Sequence, residues 1–252
     1  PIDKEGKVFT ESIKTIQTPL WNAYHFFTLY ANAGNVTAKL IETTDNALDK
    51  YILAELNVLI STVKSALDEY KPDNAIREFI RFLDILNNWY IRRGRARFWD
   101  EEQAAFDTLH FVLVKLCQLL APFAPFVADY IYRNLTGDES VHLTQFPSMG
   151  NVDNKIVDDM RRVQSVVSVG KQLREQYKLR NRLPLNSVTI AGANMPEYAS
   201  IIKEELNVKE IILGAEMSEY VNFEIKPNLP ILGKEYGKLI PQIRKEIANK
   251  NQ

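Results

Sequence analysis

Through the first half of the chain, apolar residues return every three or four positions, the period of helices that bury one face. VFTESIKTIQTPLWNAYHFFTLYAN reads as a first helix interrupted or kinked around Pro19, because proline removes a backbone donor and crowds the preceding turn. TTDNALDKYILAELNVLISTVKSALDEYK opens on capping residues and then spaces Leu48, Ile52, Leu56, Leu59, Val63 and Leu67 at helical steps. KPDN separates it from a third helix, expected from about Asn74 to Phe98. DEEQAAFDTLHFVLVKLCQLL starts acidic, which suits the positive end of a helix dipole, and then turns apolar. APFAP ends it, and a shorter helix follows to about Leu135. Long helices with short connections predict an antiparallel bundle.

After VHLTQFPSMG the pattern changes. Residues 153–180 read as a long amphipathic helix with Val163, Val166, Gly170, Leu173 and Tyr177 on its buried face. NSVTIAG, VKEIILG and YVNFEIK carry the β-branched runs of strands, with YASIIKEELN as a helix between the first two. The expected fold class is therefore mainly α. An antiparallel helix bundle over residues 1–148 is followed by a long helix and a small α+β unit over residues 149–252.

Composition narrows the function more than the fold. With 46% hydrophobic and 25% charged residues among 252, the chain can bury a real core. A formal net charge of -1 means that any nucleic-acid contact has to be local. No apolar run approaches the roughly 18 residues of a membrane span, and PIDKEGKVFTES lacks a signal core, so a cytoplasmic protein without a membrane partner is expected. Cys117 is the only cysteine, which excludes an internal disulfide and a multi-cysteine zinc site; its apolar neighbours mark a buried thiol. His25, His110 and His142 lack metal-ligand or triad spacing, and His25 in WNAYHFF reads as a packed core histidine. GKEYGK resembles a phosphate loop but has one residue too few between its glycines, and Leu239 replaces the required Ser/Thr. No catalytic residue, metal site or cofactor site is expected within these residues. A chain that begins at Pro1 reads as a piece of a longer one.

One stretch stands out chemically. NNWYIRRGRARFWD places Arg92, Arg93, Arg95 and Arg97 between Trp89 and Trp99. A helix of 3.6 residues per turn from Arg77 to Trp99 puts Ile80, Leu83, Asn87, Ile91, Gly94 and Phe98 on a core stripe, with Gly94 allowing a neighbour to come close. Arg77, Arg81, Asn88, Arg92, Arg95 and Trp99 then share another side, flanked by Arg93 and Arg97. Arginine offers a planar fork of donors matched to phosphate, and an aromatic ring beside it accepts an unstacked base. The same run reads equally as a solvated face paired with Glu78, Asp84, Asp100, Glu101 and Glu102. A second basic set follows in Lys171, Arg174 and Lys178, continued by Arg180 and Arg182 past the helix end, more than dipole capping requires.

FIRFLDILNNWYIRRGRARFWD resembles the arginine-rich helix of the anticodon-binding domain in isoleucyl-tRNA synthetases. TPLWNAYHFFTLYAN resembles that domain's first helix, and LLAPFAPFVADYIYRNL with SVHLTQFP its closing helix and the segment after it. QLREQYKLRNRLPLNSVTI, ELNVKEIIL and IKPNLPILGKEYGK resemble the following segment in isoleucyl enzymes of the eukaryotic and archaeal type, also found in some bacteria. The resemblance implies a domain for the anticodon arm of isoleucine tRNA. Its candidate tRNA-binding residues are Trp89, Arg92, Arg93, Arg95, Arg97, Trp99, Lys171, Arg174, Lys178, Arg180 and Arg182. Aminoacylation with ATP and Mg would belong to catalytic and editing domains elsewhere in the same full-length chain, since neither HIGH nor KMSKS occurs here. Gly94 stands where the family commonly has serine. Two alternatives stay open. One is the same region of a valyl or leucyl enzyme, the other a helical interaction module whose basic stripes bind acidic protein surfaces.

Overall fold

The computed structural model describes residues 13–40, 44–150, 153–216 and a few positions between 236 and 246. The start of the first helix at VFTES, the strand expected at YVNFEIK and nearly all of KPNLPILGKEYGK lie outside the described residues. The fold is mainly α with a small α+β unit, and its chain divides into two compact units, Pro1–Arg161 and Arg162–Gln252.

In the first unit, a π-helical turn at Ile13–Gln17 leads into α1, Thr18–Ala33. Pro19 lies in the first turn of α1, where a missing N–H costs nothing, so the expected interruption is a change from π to α. α2 spans Ala47–Asp68 and is capped by the Asn46 side chain, which accepts from the Leu48 and Asp49 amides. α3, Pro72–Asp84, passes into a π segment at Ile85–Ile91 and then into α4, Arg92–Trp99. α5, Gln103–Leu120, is apolar on nearly every side and runs through the core, and α6 covers Pro125–Thr136. Asp107 is the buried acid of α5; it accepts from the Lys39 amide and the Gln103 side chain, each at 2.7 Å.

The π segment corrects the helical phase read from the sequence. Its hydrogen bonds reach five residues along, so each turn holds more residues than an α turn. The buried line is therefore Phe79, Leu83, Leu86, Tyr90, Gly94 and Phe98, while Ile80 is exposed and Asn87 only half-buried. The Asn87 amide donates to the carbonyls of Pro19 and Leu83, tying the widened turn to α1. A Cβ on Gly94 would meet only the Phe98 ring of its own helix, at 3.4 Å, so no neighbouring helix depends on that glycine.

α7, Asn154–Gln176, begins in the first unit and ends in the second, so the division falls within it, past the sequence boundary near Met149. Its opening turns are packed rather than linker-like. Val157 and Met160 are buried, and the Gly150 amide donates to Asn57 of α2. In the second unit the buried positions of α7 are Val163, Val167 and Arg174, whereas Leu173 and Tyr177 are exposed, a correction of one residue to the expected stripe. β1, Leu185–Ala191, and β2, Val208–Ala215, pair in parallel, with Leu185 opposite Val208. α8, Ala199–Leu206, makes the crossover that a parallel pair requires.

Candidate nucleic-acid interface

α4 is oriented from below by Phe98. That ring is buried edge-on against Phe26 of α1 and Phe106 of α5, with centroids 5.0 and 5.1 Å away. With Gly94 and Phe98 inside, the helical period turns Arg92, Arg95 and Trp99 outward and leaves Arg93 and Arg97 half-buried. Trp99 is 75% exposed; Trp89 is buried. The Arg92 and Arg93 guanidiniums lie 6.0 and 5.6 Å from the Trp89 ring centre, within cation–π range, and Arg92 Nε also donates to the Asn88 carbonyl. Arg95 forms no hydrogen bond or ion pair with any of the described residues.

Arg97 departs from the expected RNA-facing set. Its Nη1 and Nη2 grip both oxygens of Asp49 at 2.7 Å, and its Nε and Nη2 reach Glu102 at 2.9 and 2.8 Å. Asp49 is fully buried and also accepts from the Tyr90 hydroxyl at 2.7 Å and from Thr44. Burial would pull the Arg97 guanidinium down, but Asp49 and Glu102 outweigh it and hold it above its ordinary value. Burial, then the Asp49 charge, pushes the Tyr90 phenol well up, while the hydrogen bond from Arg97 holds Glu102 below the usual carboxylate range. This side chain closes a buried ion-pair network. The sequence missed it because Asp49, three residues after its cap, reads as an ordinary N-terminal acid.

The second basic set divides in the same way. Arg174 is buried and donates to four carbonyls, those of Arg180, Leu183, Leu206 and Asn207, at 2.6–3.2 Å. It joins the end of α8 to the turn before β1, so its guanidinium is engaged within the unit rather than presented to solvent as the sequence pattern suggested. Lys171 pairs with Glu205 at 2.6 Å. Lys178, Arg180 and Arg182 are exposed.

Burial pushes the Cys117 thiol up to about 12, which makes it inert. His25 is exposed rather than packed, and His110 is buried with Nε2 2.9 Å from the Leu135 carbonyl. Among the described residues no cluster could hold a metal, and no helix is long and apolar enough to cross a membrane.

The family model for the anticodon-binding domain of tRNA ligase matches residues 49–190, from the buried Asp49 through the arginine helix into β1. This chain belongs to that family. Relatives of the domain include the isoleucine–tRNA ligase of Clostridium novyi, 42% identical over 96% of this chain and 25% of that protein. The isoleucine–tRNA ligase of Clostridium acetobutylicum is 40% identical with the same coverage, and that of Deinococcus radiodurans 38% identical over 96% of this chain and 24% of its own. The chain thus spans about a quarter of the length of the curated relatives it matches. Its exposed arginines on α4 and its buried Asp49–Arg97 pair both fall within the matched residues.

Proposed function

We propose that this domain binds the anticodon arm of isoleucine tRNA within a longer isoleucine–tRNA ligase. The observation that carries the reading is the outer face of α4, where exposed Arg92 and Arg95 stand beside an exposed Trp99 inside the matched anticodon-binding region. Guanidinium groups suit backbone phosphates, and an exposed indole suits an unstacked base. Lys178, Arg180 and Arg182 add exposed positive charge in the second unit. In the whole enzyme, ATP and Mg would activate isoleucine in a catalytic domain on the same chain, with an editing domain beside it, in the cytoplasm. Competition binding tests the specificity. Unlabelled isoleucine tRNA is expected to displace a labelled isoleucine anticodon hairpin from residues 1–252 at lower concentration than valine or leucine tRNA. Equal displacement by all three would return the domain to a general tRNA-binding role.

A further inference from the structure

A cleft of about 340 Å³ lies at the C-terminal end of α4, walled by Leu29, Tyr30, Phe98 and Trp99 and lined also by Gly34 and Glu101. Trp99 is 75% and Leu29 56% exposed, so two large apolar side chains are held in solvent beside it. The local backbone explains the arrangement. Because Phe98 is buried, its helical neighbour Trp99 has to point away. The helix closes with the Glu102 amide on the Arg97 carbonyl and the Glu101 amide on that of Phe98, a Schellman ending. That ending places Glu101 in the left-handed region, at φ 55°, where glycine is the favoured residue and a glutamate is strained. Gly34 makes room for it: a Cβ there would lie 3.0 Å from the Glu101 side chain. A strained position and a bare glycine thus hold a carboxylate at an aromatic cleft, one helical turn beyond Arg95.

We infer that this cleft receives one unstacked base of the RNA loop and that Glu101 selects guanine. The inference rests on the RNA-binding reading above and deepens it. The exposed indole stacks on the face of any base, so it contributes affinity without choice. Choice comes from the carboxylate, which only accepts hydrogen bonds. Guanine alone presents two adjacent N–H donors, at N1 and N2, on its Watson–Crick edge, matched to two carboxylate oxygens. Adenine, cytosine and uracil each set an acceptor beside their donor, which the carboxylate repels. Arg95 supplies a cation for the adjoining phosphate.

The test uses the 252-residue chain and an RNA hairpin whose uridine loop carries a single guanine, or inosine in its place. Inosine keeps N1–H and lacks the N2 amino group. The parent is expected to bind the guanine hairpin about tenfold tighter, the worth of one good base-edge contact. Glu101→Gln should bring that ratio close to one. Glu101→Gly should do the same while raising Tm, since it relieves the left-handed glutamate; a purely structural Glu101 would not tie the two together. Trp99→Ala should weaken both hairpins about five- to a hundredfold without loss of fold, because the ring is exposed. An unchanged guanine-to-inosine ratio in Glu101→Gln overturns the inference, as does parent-like binding by Trp99→Ala. If Arg95→Ala weakens binding while the cleft variants do not, the RNA face stands and the cleft falls. If the parent binds neither hairpin but binds isoleucine tRNA, the cleft falls and the RNA face stands; if it binds isoleucine tRNA no better than the hairpins, both fall.

Discussion

Two arginines two positions apart on α4 have opposite surroundings. Arg97 faces a fully buried Asp49 with its own side chain only 15% exposed. Removing one partner of such a pair strands a buried charge, so Arg97→Ala is expected to lower stability by about 3–5 kcal/mol. Arg95 faces solvent, and Arg95→Ala should stay within about 0.5 kcal/mol of the parent. Urea denaturation of both variants checks the contrast; similar losses would show that Asp49 does not depend on Arg97. Acid should probe the same network. Glu102 is depressed in the folded state by its bond from Arg97, so its contribution is present above the unfolded carboxylate value of about 4.3. It is lost as pH falls through the folded value, and Glu102→Gln should flatten that part of the stability profile. The sequence showed the charge at 97 but not the acid waiting 48 positions away in the chain. Arg174 hid for the same reason, since four backbone carbonyls leave no mark in a residue pattern.

At the scale of elements, helix existence and order were legible because three- and four-residue spacing and Pro/Gly punctuation report them directly. Phase was legible only where the helix stays α. Ile80 read as core because a uniform turn was carried through Ile85–Ile91, and the π turns absorb the extra residue that puts Phe79 there instead. The same correction removes the expected crowding at Gly94. With only Phe98 near a new Cβ, Gly94→Ala should raise stability by about 0.5–1 kcal/mol through helix propensity. A loss in thermal or chemical denaturation would mean that the Phe98 ring cannot yield. In the second unit, the β–α–β order was readable from β-branched runs, and the parallel pairing follows from the helix between the strands.

For the whole molecule, a near-neutral chain that covers a quarter of its relatives' length is expected to bind RNA through local surfaces and to leave chemistry to other domains. Purified residues 1–252 should show no isoleucine-dependent pyrophosphate exchange, because neither ATP signature occurs in them. Limited proteolysis should leave α1 to α6 together as a folded helical piece of the first unit; cuts scattered through α1 to α6 would count against that unit. The claim that the outer face of α4 holds RNA phosphates is tested most directly by the salt dependence of isoleucine tRNA affinity. Arg95→Ala should weaken binding and make the log–log slope shallower by about 0.7–0.9, the share of one neutralised phosphate. Lys64→Ala, which removes an equal charge from exposed α2 surface, should leave the slope unchanged. Arg95→Ala binding with the parent's affinity and the parent's slope would contradict the assignment of this face to RNA.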